Sequence, residues 1–313
     1  MSFLSTAVQD VLERGPFCLV AASTPGGPHC TPLVFASSGG RVWLTTSRGS
    51  VKARAWRRDP SVAGLVRLDD LSVAFTGSVK TYDALDRRTW GSAVAGATSI
   101  ARATATFSRK NARFFAGYAL DARQVPLAWT PPGRVFVGVD LERTCLLDRD
   151  GVQEGRGRWG GACASHRTFR RSGGFDPMAI LPARVASRIG EEGQGALTVV
   201  GERGPVVLPV GWRAEPSGLY AALPAETLAL AGAPEDAPVA LTVDQPSVWR
   251  ARDMVGAMFQ GRGACFVEGE VGSGAKSMRS IAEALAPGAT ALVRVALERA
   301  VWWEGWSGGS ART

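Results

Sequence analysis

Apolar positions open the chain at helical spacing. Phe3, Leu4, Ala7, Val8, Val11 and Leu12 fall on one face, which predicts a short amphipathic helix, and Gly15-Pro16 ends it. From residue 17 the period changes. "FCLVAAS" (17–23) reads as a buried strand, "TPGGP" (24–28) as a turn and "HCTPLVFA" (29–36) as the returning strand. "SSGG" (37–40) turns the chain again, and "RVWLTT" (41–46) is a third strand. "SVKARAWRRD" (50–59) reads as a short helix with Ser50 as its N-cap. After Pro60, "SVAGLVRL" (61–68) and "SVAFTGSVKTY" (72–82) are two more strands. Short strands closed by Gly/Pro turns predict a small antiparallel barrel. Residues 83–122 are Ala-rich without alternation and predict one or two helices across a barrel end, and "RVFVGVDL" (134–141) returns to strand. Residues 149–176, rich in Gly and Arg, read as an exposed connector.

The pattern then recurs. "GALTVVGERGPVVLPVGWRAEPSGLYAAL" (195–223) lays over "CLVAASTPGGPHCTPLVFASSGGRVWLTT" (18–46), with Pro205 on Pro28, Pro209 on Pro32 and Leu219-Tyr220 on Val42-Trp43. "APVALTVD" (237–244) matches "PSVAGLVRL", and "GAMFQGRG" (256–263) matches "SVAFTGSV". Leu-Glu-Arg is shared at 141–143 and 297–299. A fixed order of strands, prolines and turns over this length indicates internal duplication. The expected architecture is mainly β with α, two tandem antiparallel split barrels forming a pseudo-dimer within one chain. The expected division is 1–148, a connector at 149–182, and 183–313.

Composition narrows the classes. A net charge of +8, from 36 basic and 28 acidic residues, is compatible with nucleic acid, with an anionic small molecule or merely with an Arg-rich composition. Only four of the basic residues are Lys (52, 80, 110 and 276), and no long basic block or nucleic-acid module is visible, which argues against nucleic acid despite the Arg-rich connector. No apolar run is long enough to span a membrane, and the N-terminus lacks signal-peptide character. Five scattered cysteines (18, 30, 145, 163, 265) form no CxxC pair, so a reduced cytoplasm and no structural metal are expected.

The candidate chemistry sits in "LTTSRGSVKARAWRRDPSV" (44–62), where a strand meets a helix. The hydroxyls of Thr46, Ser47 and Ser50 can donate to phosphate oxygens, Lys52 supplies a point charge, and Arg48 or Arg54 can add another. Gly49 permits close backbone approach. The plain alternative for this stretch is a capped surface helix with solvated Arg.

"GGPHCTPLVF", "RVWLTTSRGSVKARAWRRDPSVAGLV" and "FTGSV" together resemble the flavin-binding split-barrel superfamily, the pyridoxamine 5'-phosphate oxidase-like group, above all its actinobacterial branch. The resemblance covers about residues 12–82 and 134–148. It implies dimers that bind flavin phosphate at the strand-to-helix corner, with the partner barrel covering part of the ring. A fused duplicate would supply both barrels in one chain, as a monomeric pseudo-dimer. On that resemblance Lys52 and Ser50 contact the phosphate, while Thr45 and Thr46 lie beside the ring or ribityl chain. Val51 stands where the family often has a second basic residue. The implied cofactor is FMN, with the 8-hydroxy-5-deazaflavin coenzyme as alternative and haem set behind both.

The second copy reads "LPAETLALAG" (223–232) at the matching corner. In the gapless alignment Pro224, Ala225, Thr227 and Ala229 replace Ser47, Arg48, Ser50 and Lys52, and Glu226 adds a negative charge. One anchored site per chain is therefore expected, with the second copy as partner and lid. Trp302 and Trp303, with Trp306 beside them, are candidate ring or substrate contacts by stacking, against the plainer reading of barrel packing. Of the two histidines, His29 opens a strand beside Cys30, where it reads as structural or substrate-facing rather than as a haem ligand, and His166 reads as a solvated connector residue. No Ser-His-Asp, Cys-His or paired-carboxylate arrangement stands out, and no catalytic residue can be named. That fits an oxidoreductase whose cofactor carries the chemistry on a small organic substrate. The alternative is a non-catalytic flavin, haem or ligand carrier.

Overall fold

A computed structural model describes residues 4–121, 123–125, 133–161, 163–164, 176–216, 218–267 and 275–313. His166 lies outside them. The opening helix α1 (Thr6–Arg14) starts where the Ser5 hydroxyl accepts the Val8 N–H, and it buries Val8, Val11 and Leu12. The first sheet comprises β1 (Cys18–Thr24), β2 (Gly27–Leu33), β3 (Phe35–Ser38), β4 (Arg41–Ser47), β5 (Ser61–Leu68), β6 (Leu71–Tyr82), β7 (Arg134–Asp148) and β8 (Gly151–Arg156). Its order is β2-β1-β5-β6-β7-β4-β3, with β8 paired to β7. The two ends of that path, β2 and β3, are one stretch of chain broken only at Val34, so the sheet curls back on itself. The expected single strand at 29–36 is thus split, and each piece pairs with a different neighbour.

Helix α2 (Val51–Trp56) follows β4, and α3 (Trp90–Ala95), α4 (Ala97–Lys110) and α5 (Ala112–Leu120) follow β6. Three helices therefore stand where one or two were expected. Phe107 of α4 and Phe114 of α5 pack with Phe17, Val34 and Ala36.

After α6 (Ala183–Ile189), the second sheet comprises β9 (Glu192–Gly201), β10 (Gly204–Glu215), β11 (Gly218–Leu223), β12 (Ala237–Gln245), β13 (Val255–Val267), β14 (Ala291–Glu304) and β15 (Ser307–Arg312). Helix α7 (Ala225–Ala229) follows β11, and α8 (Ala275–Leu285) precedes β14. The order is β11-β10-β9-β12-β13-β14-β15, and β11 also pairs with β14, closing a six-stranded barrel. Here β10 runs unbroken where the first copy has β2 and β3.

Register carries the duplication further than composition could. Gly77 pairs with Leu141 and Thr76 with Arg143, so Glu142 is an extra, unpaired residue. Gly261 pairs with Leu297 and Gln260 with Arg299, leaving Glu298 in the same role. The shared Leu-Glu-Arg is therefore one β-bulge built twice. A side chain at Gly77 would land on the Asp140 carbonyl oxygen, and one at Gly261 on that of Ala296. Gly77→Ala and Gly261→Ala are each expected to cost about 1–3 kcal/mol of stability by overpacking against backbone. Urea unfolding checks this, and unchanged midpoints would remove the bulge argument.

Strand β1 shows why the apolar runs are continuous rather than alternating. Val20 and Ala22 face the first barrel's interior, while Leu19 and Ala21 join a core shared with Leu197, Val207, Leu241 and Phe259 of the second barrel. Both faces are buried because one barrel covers the other. Polar contacts cross the same junction. The Cys30 N–H points at the Met258 sulfur at 3.0 Å, the Thr242 hydroxyl donates to the Cys30 carbonyl at 3.1 Å, and the Gln260 amide donates to the Pro28 carbonyl at 2.7 Å.

Strands β8 and β15 were not legible. The first falls in the stretch expected to be an exposed connector. The second, "SGGSAR", has no apolar alternation, and its Gly309 leaves room for the Trp302 ring. The two occupy equivalent places, each pairing with the end of the long strand before it. Among the described residues, no helix is long and apolar enough to cross a membrane.

Candidate functional site

The corner between β4 and α2 is tightly built. Ser50 caps α2, its hydroxyl accepting the Ala53 N–H at 3.1 Å, and the Thr46 hydroxyl donates to the same oxygen at 3.0 Å. Helix α2 then buries Lys52, Ala53, Ala55 and Trp56. Lys52 is 3% exposed, rare for an unpaired ammonium. It donates to the Thr31 hydroxyl on β2, a neutral partner. Burial pushes its pKa down to about 8. His29, on the same strand as Thr31, is held neutral. Burial first, then the charges of Lys52 and Arg299, push its pKa down to about 3.

These residues open onto a cavity of about 510 Å3 between the barrels, within the range of small-molecule sites. From the first barrel it is lined by Thr46, Ser47, Gly49, Ser50, Lys52, His29 and Arg134, with Phe17, Phe114 and Tyr118 supplying aromatic wall. From the second come Ala251, Met254, Val301, Trp302, Trp303 and Gly305. No Asp or Glu is among the described lining residues. Trp303 lies across Gly256 of β13 and Trp302 across Gly309 of β15, so each ring rests on a strand position without a side chain. The tryptophans are thus both packed against sheet and presented to the cavity.

Of the residues singled out from sequence, His29, Thr46, Ser47, Gly49, Ser50, Lys52, Trp302 and Trp303 line the cavity together, whereas Thr45, Arg48, Arg54 and Trp306 are not among its described lining residues. Arg48 forms a bidentate pair with Asp83, Nε to Oδ2 and Nη2 to Oδ1 both at 2.7 Å. Arg54 is exposed and donates to the Gly49 carbonyl at 2.7 Å. Thr45 points to the other face of β4, where its hydroxyl accepts from Arg134 Nε at 3.0 Å. Sequence reasoning missed Arg134, Thr31, Phe17, Phe114 and Tyr118. Arg134 was recoverable only through the pairing of β4 with β7, which sets it opposite Ser47.

The second corner is built differently. Three residues (48–50) separate β4 from α2, but Pro224 alone separates β11 from α7. The burial pattern of α7 overlays that of α2 best with Thr227 at the place of Lys52 and Glu226 at that of Val51. The gapless alignment, which put Ala229 there, is therefore shifted by two residues, and no cation occupies the position in either register. The Glu226 carboxylate accepts the Val152 N–H of β8 at 2.7 Å. Each corner faces the last hairpin of the opposite barrel: the first forms a cavity under β14 and its turn toward β15, and the second is latched to β8.

The fold and site together define a tandem split barrel with an aromatic-lined cavity at its junction that has no acid among its described lining residues. Residues 4–125 match the family model described as pyridoxamine 5'-phosphate oxidase. That match falls on the first barrel, whose architecture the second barrel repeats. Similar solved structures each cover less than half of this chain. A pyridoxamine 5'-phosphate oxidase-related, FMN-binding protein from Nostoc punctiforme PCC 73102 is 16% identical over 48% of this chain and 86% of its own, at a TM-score of 0.35. A conserved hypothetical protein from Mycobacterium tuberculosis is 23% identical over 47% and 86%, at 0.33. An FAD-binding protein from Mesorhizobium loti is 18% identical over 46% and 94%, at 0.31. No curated protein matches the chain.

Proposed function

We propose that the cavity binds a flavin-type cofactor, FMN or the 8-hydroxy-5-deazaflavin coenzyme, and that the protein is an oxidoreductase acting on a small organic substrate beside it. One observation carries this reading. Lys52 is an almost wholly buried ammonium with a single neutral partner, in a cavity with aromatic walls and no described carboxylate. A buried charge of that kind calls for an anion, and the aromatic walls suit a ring attached to it. The residues present therefore fit a ring-bearing phosphate. Lys52, with the Ser50 hydroxyl and the Thr46 hydroxyl bonded to it, would hold the phosphate, and Trp302 and Trp303 would flank the ring and exclude water. Bound there, a flavin-type cofactor supplies hydride transfer, which no side chain can.

A second reading, a non-catalytic carrier, draws on His29. Its depressed pKa keeps it neutral near pH 7, so it is no general acid there. Titration of the purified protein with FMN and with the deazaflavin coenzyme, followed by oxidation of the reduced complex with candidate acceptors, separates the two. Binding near one per chain with turnover supports the oxidoreductase, binding without turnover supports the carrier, and no binding sinks both.

The pH dependence follows from Lys52. Its ligand-free pKa of about 8 rises when a phosphate settles against it, because an opposite charge favours the ammonium. Above pH 8 binding must therefore take up a proton. Affinity for FMN is expected to hold between about pH 6.5 and 8, where phosphate is largely dianionic. It should then fall by up to about tenfold per unit toward the ordinary Lys range. Calorimetry in buffers of different ionisation enthalpy reads the proton uptake directly, and a flat profile to pH 9.5 would count against Lys52 as the phosphate contact.

A further inference from the structure

We propose that Arg134 forms a second anion subsite in the same cavity, distinct from the Lys52 contact, and selects ligands that carry a carboxylate beside the cofactor. The inference rests on the cofactor reading for what fills the Lys52 end, but its own basis is the geometry of β4. Successive side chains of a strand point to opposite faces. Thr46 faces α2 and bonds Ser50. Thr45 and Ser47 face the other way, and Arg134 lies opposite Ser47 across the β4–β7 ladder, on their side. The two cations among the described lining residues thus come from different elements, Lys52 from α2 and Arg134 from the start of β7.

Arg134 is also held ready. Its Nε donates to the Thr45 hydroxyl at 3.0 Å and its Nη2 to the Thr45 carbonyl at 2.8 Å. These bonds fix the guanidinium plane from behind, and among the described residues Nη1 has no hydrogen-bond partner. No carboxylate is bonded to it, and the described lining offers none. Burial pulls its pKa down, and the facing Tyr118 hydroxyl on α5, itself pushed up by burial, stays neutral. The guanidinium nonetheless remains charged at any working pH. Tyr118 and Phe114 form the adjoining wall, with Trp306 edge-on to Tyr118 at 4.8 Å between centroids. A planar fork in an aromatic slot matches a planar carboxylate better than it matches a neutral amide.

Nicotinate and nicotinamide share one ring and differ in that group, so they are the probes. Calorimetric titration of the FMN-loaded protein at pH 7 is expected to show nicotinate bound at least about tenfold more tightly, the discrimination expected when an unpaired polar site meets its partner. Arg134→Gln should erase that preference while changing FMN affinity less than about threefold. Arg134→Lys should retain part of it, since charge survives and the fork does not. Thermal melts of each variant guard against misfolding, and Thr45→Val, which removes a guanidinium support while keeping the charge, should reduce the preference partially. Equal binding of the two probes by the wild type overturns the proposal. So does an Arg134→Gln loss of FMN affinity as large as that of Lys52→Met, since both cations would then grip one phosphate. If FMN does not bind at all, the cofactor reading fails, and the nicotinate-to-nicotinamide ratio on the ligand-free protein still decides Arg134.

Discussion

Lys52→Met is expected to weaken FMN binding by about 10- to 150-fold, the worth of a hydrogen bond to a charged group, while making the ligand-free protein more stable. The two effects have one cause. In the ligand-free cavity the ammonium is desolvated and meets only the Thr31 hydroxyl, and a pKa pushed down from 10.5 to about 8 measures that strain, on the order of 3 kcal/mol against the charged form. Methionine keeps the stem's packing and removes the charge, and such replacements of uncompensated buried charge often stabilise. A phosphate reverses the balance by supplying the missing partner. Fluorescence titration and thermal melting, run on the same samples, read both signs. A variant that melts lower and binds FMN normally would identify Lys52 as a structural strut and end the phosphate assignment. Riboflavin, which lacks the phosphate, should bind wild type and variant alike.

Much of the fold was legible because barrel strands are short, bounded by Gly/Pro turns, and repeated. The offset that lays Pro205 on Pro28 is the one the ladders adopt, since Gly204 closes the β9–β10 turn as Gly27 closes β1–β2. Where the reading failed, the physics lay outside local pattern. Val34 breaks a strand because its two ends pair with different neighbours. Strand β15 is small and polar because Trp302 needs the space above Gly309. The corner's hydroxyls and Lys52 could be read from the strand-to-helix motif, since they are sequence neighbours. Arg134 could not, because it reaches the cavity through a ladder to a residue 87 positions earlier, Ser47. Arg48 and Arg54 were candidates from the same motif; in the structure Arg48 pairs with Asp83 and Arg54 donates to the Gly49 carbonyl, and only the fold brings Asp83 within reach of Arg48.

The asymmetry between the copies points to how the site can be closed by design. Gly49 lines the cavity with nothing within 4 Å of where its side chain would begin, and its φ is not in the left-handed region, so a larger residue fits without backbone strain. The second copy carries Glu226 at its corner, with its carboxylate latched to the Val152 N–H. Gly49→Glu is therefore expected to abolish FMN binding, by at least about a hundredfold, with no loss of melting temperature. A carboxylate a few ångströms from Lys52 both repels phosphate and gives the ammonium the partner it lacks, which should return the Lys52 pKa toward or above its ordinary value. Gly49→Gln, equal in size and uncharged, separates the terms: if charge dominates it should retain most of the affinity, and if volume dominates it should lose as much as the glutamate. Undiminished FMN binding by Gly49→Glu would mean the phosphate does not occupy this corner. With Glu226 latched to Val152 and no cation at the second corner, wild-type saturation should stop at one FMN per chain, and a second equivalent bound at similar affinity would contradict the assignment of Glu226 as the feature that distinguishes the two halves.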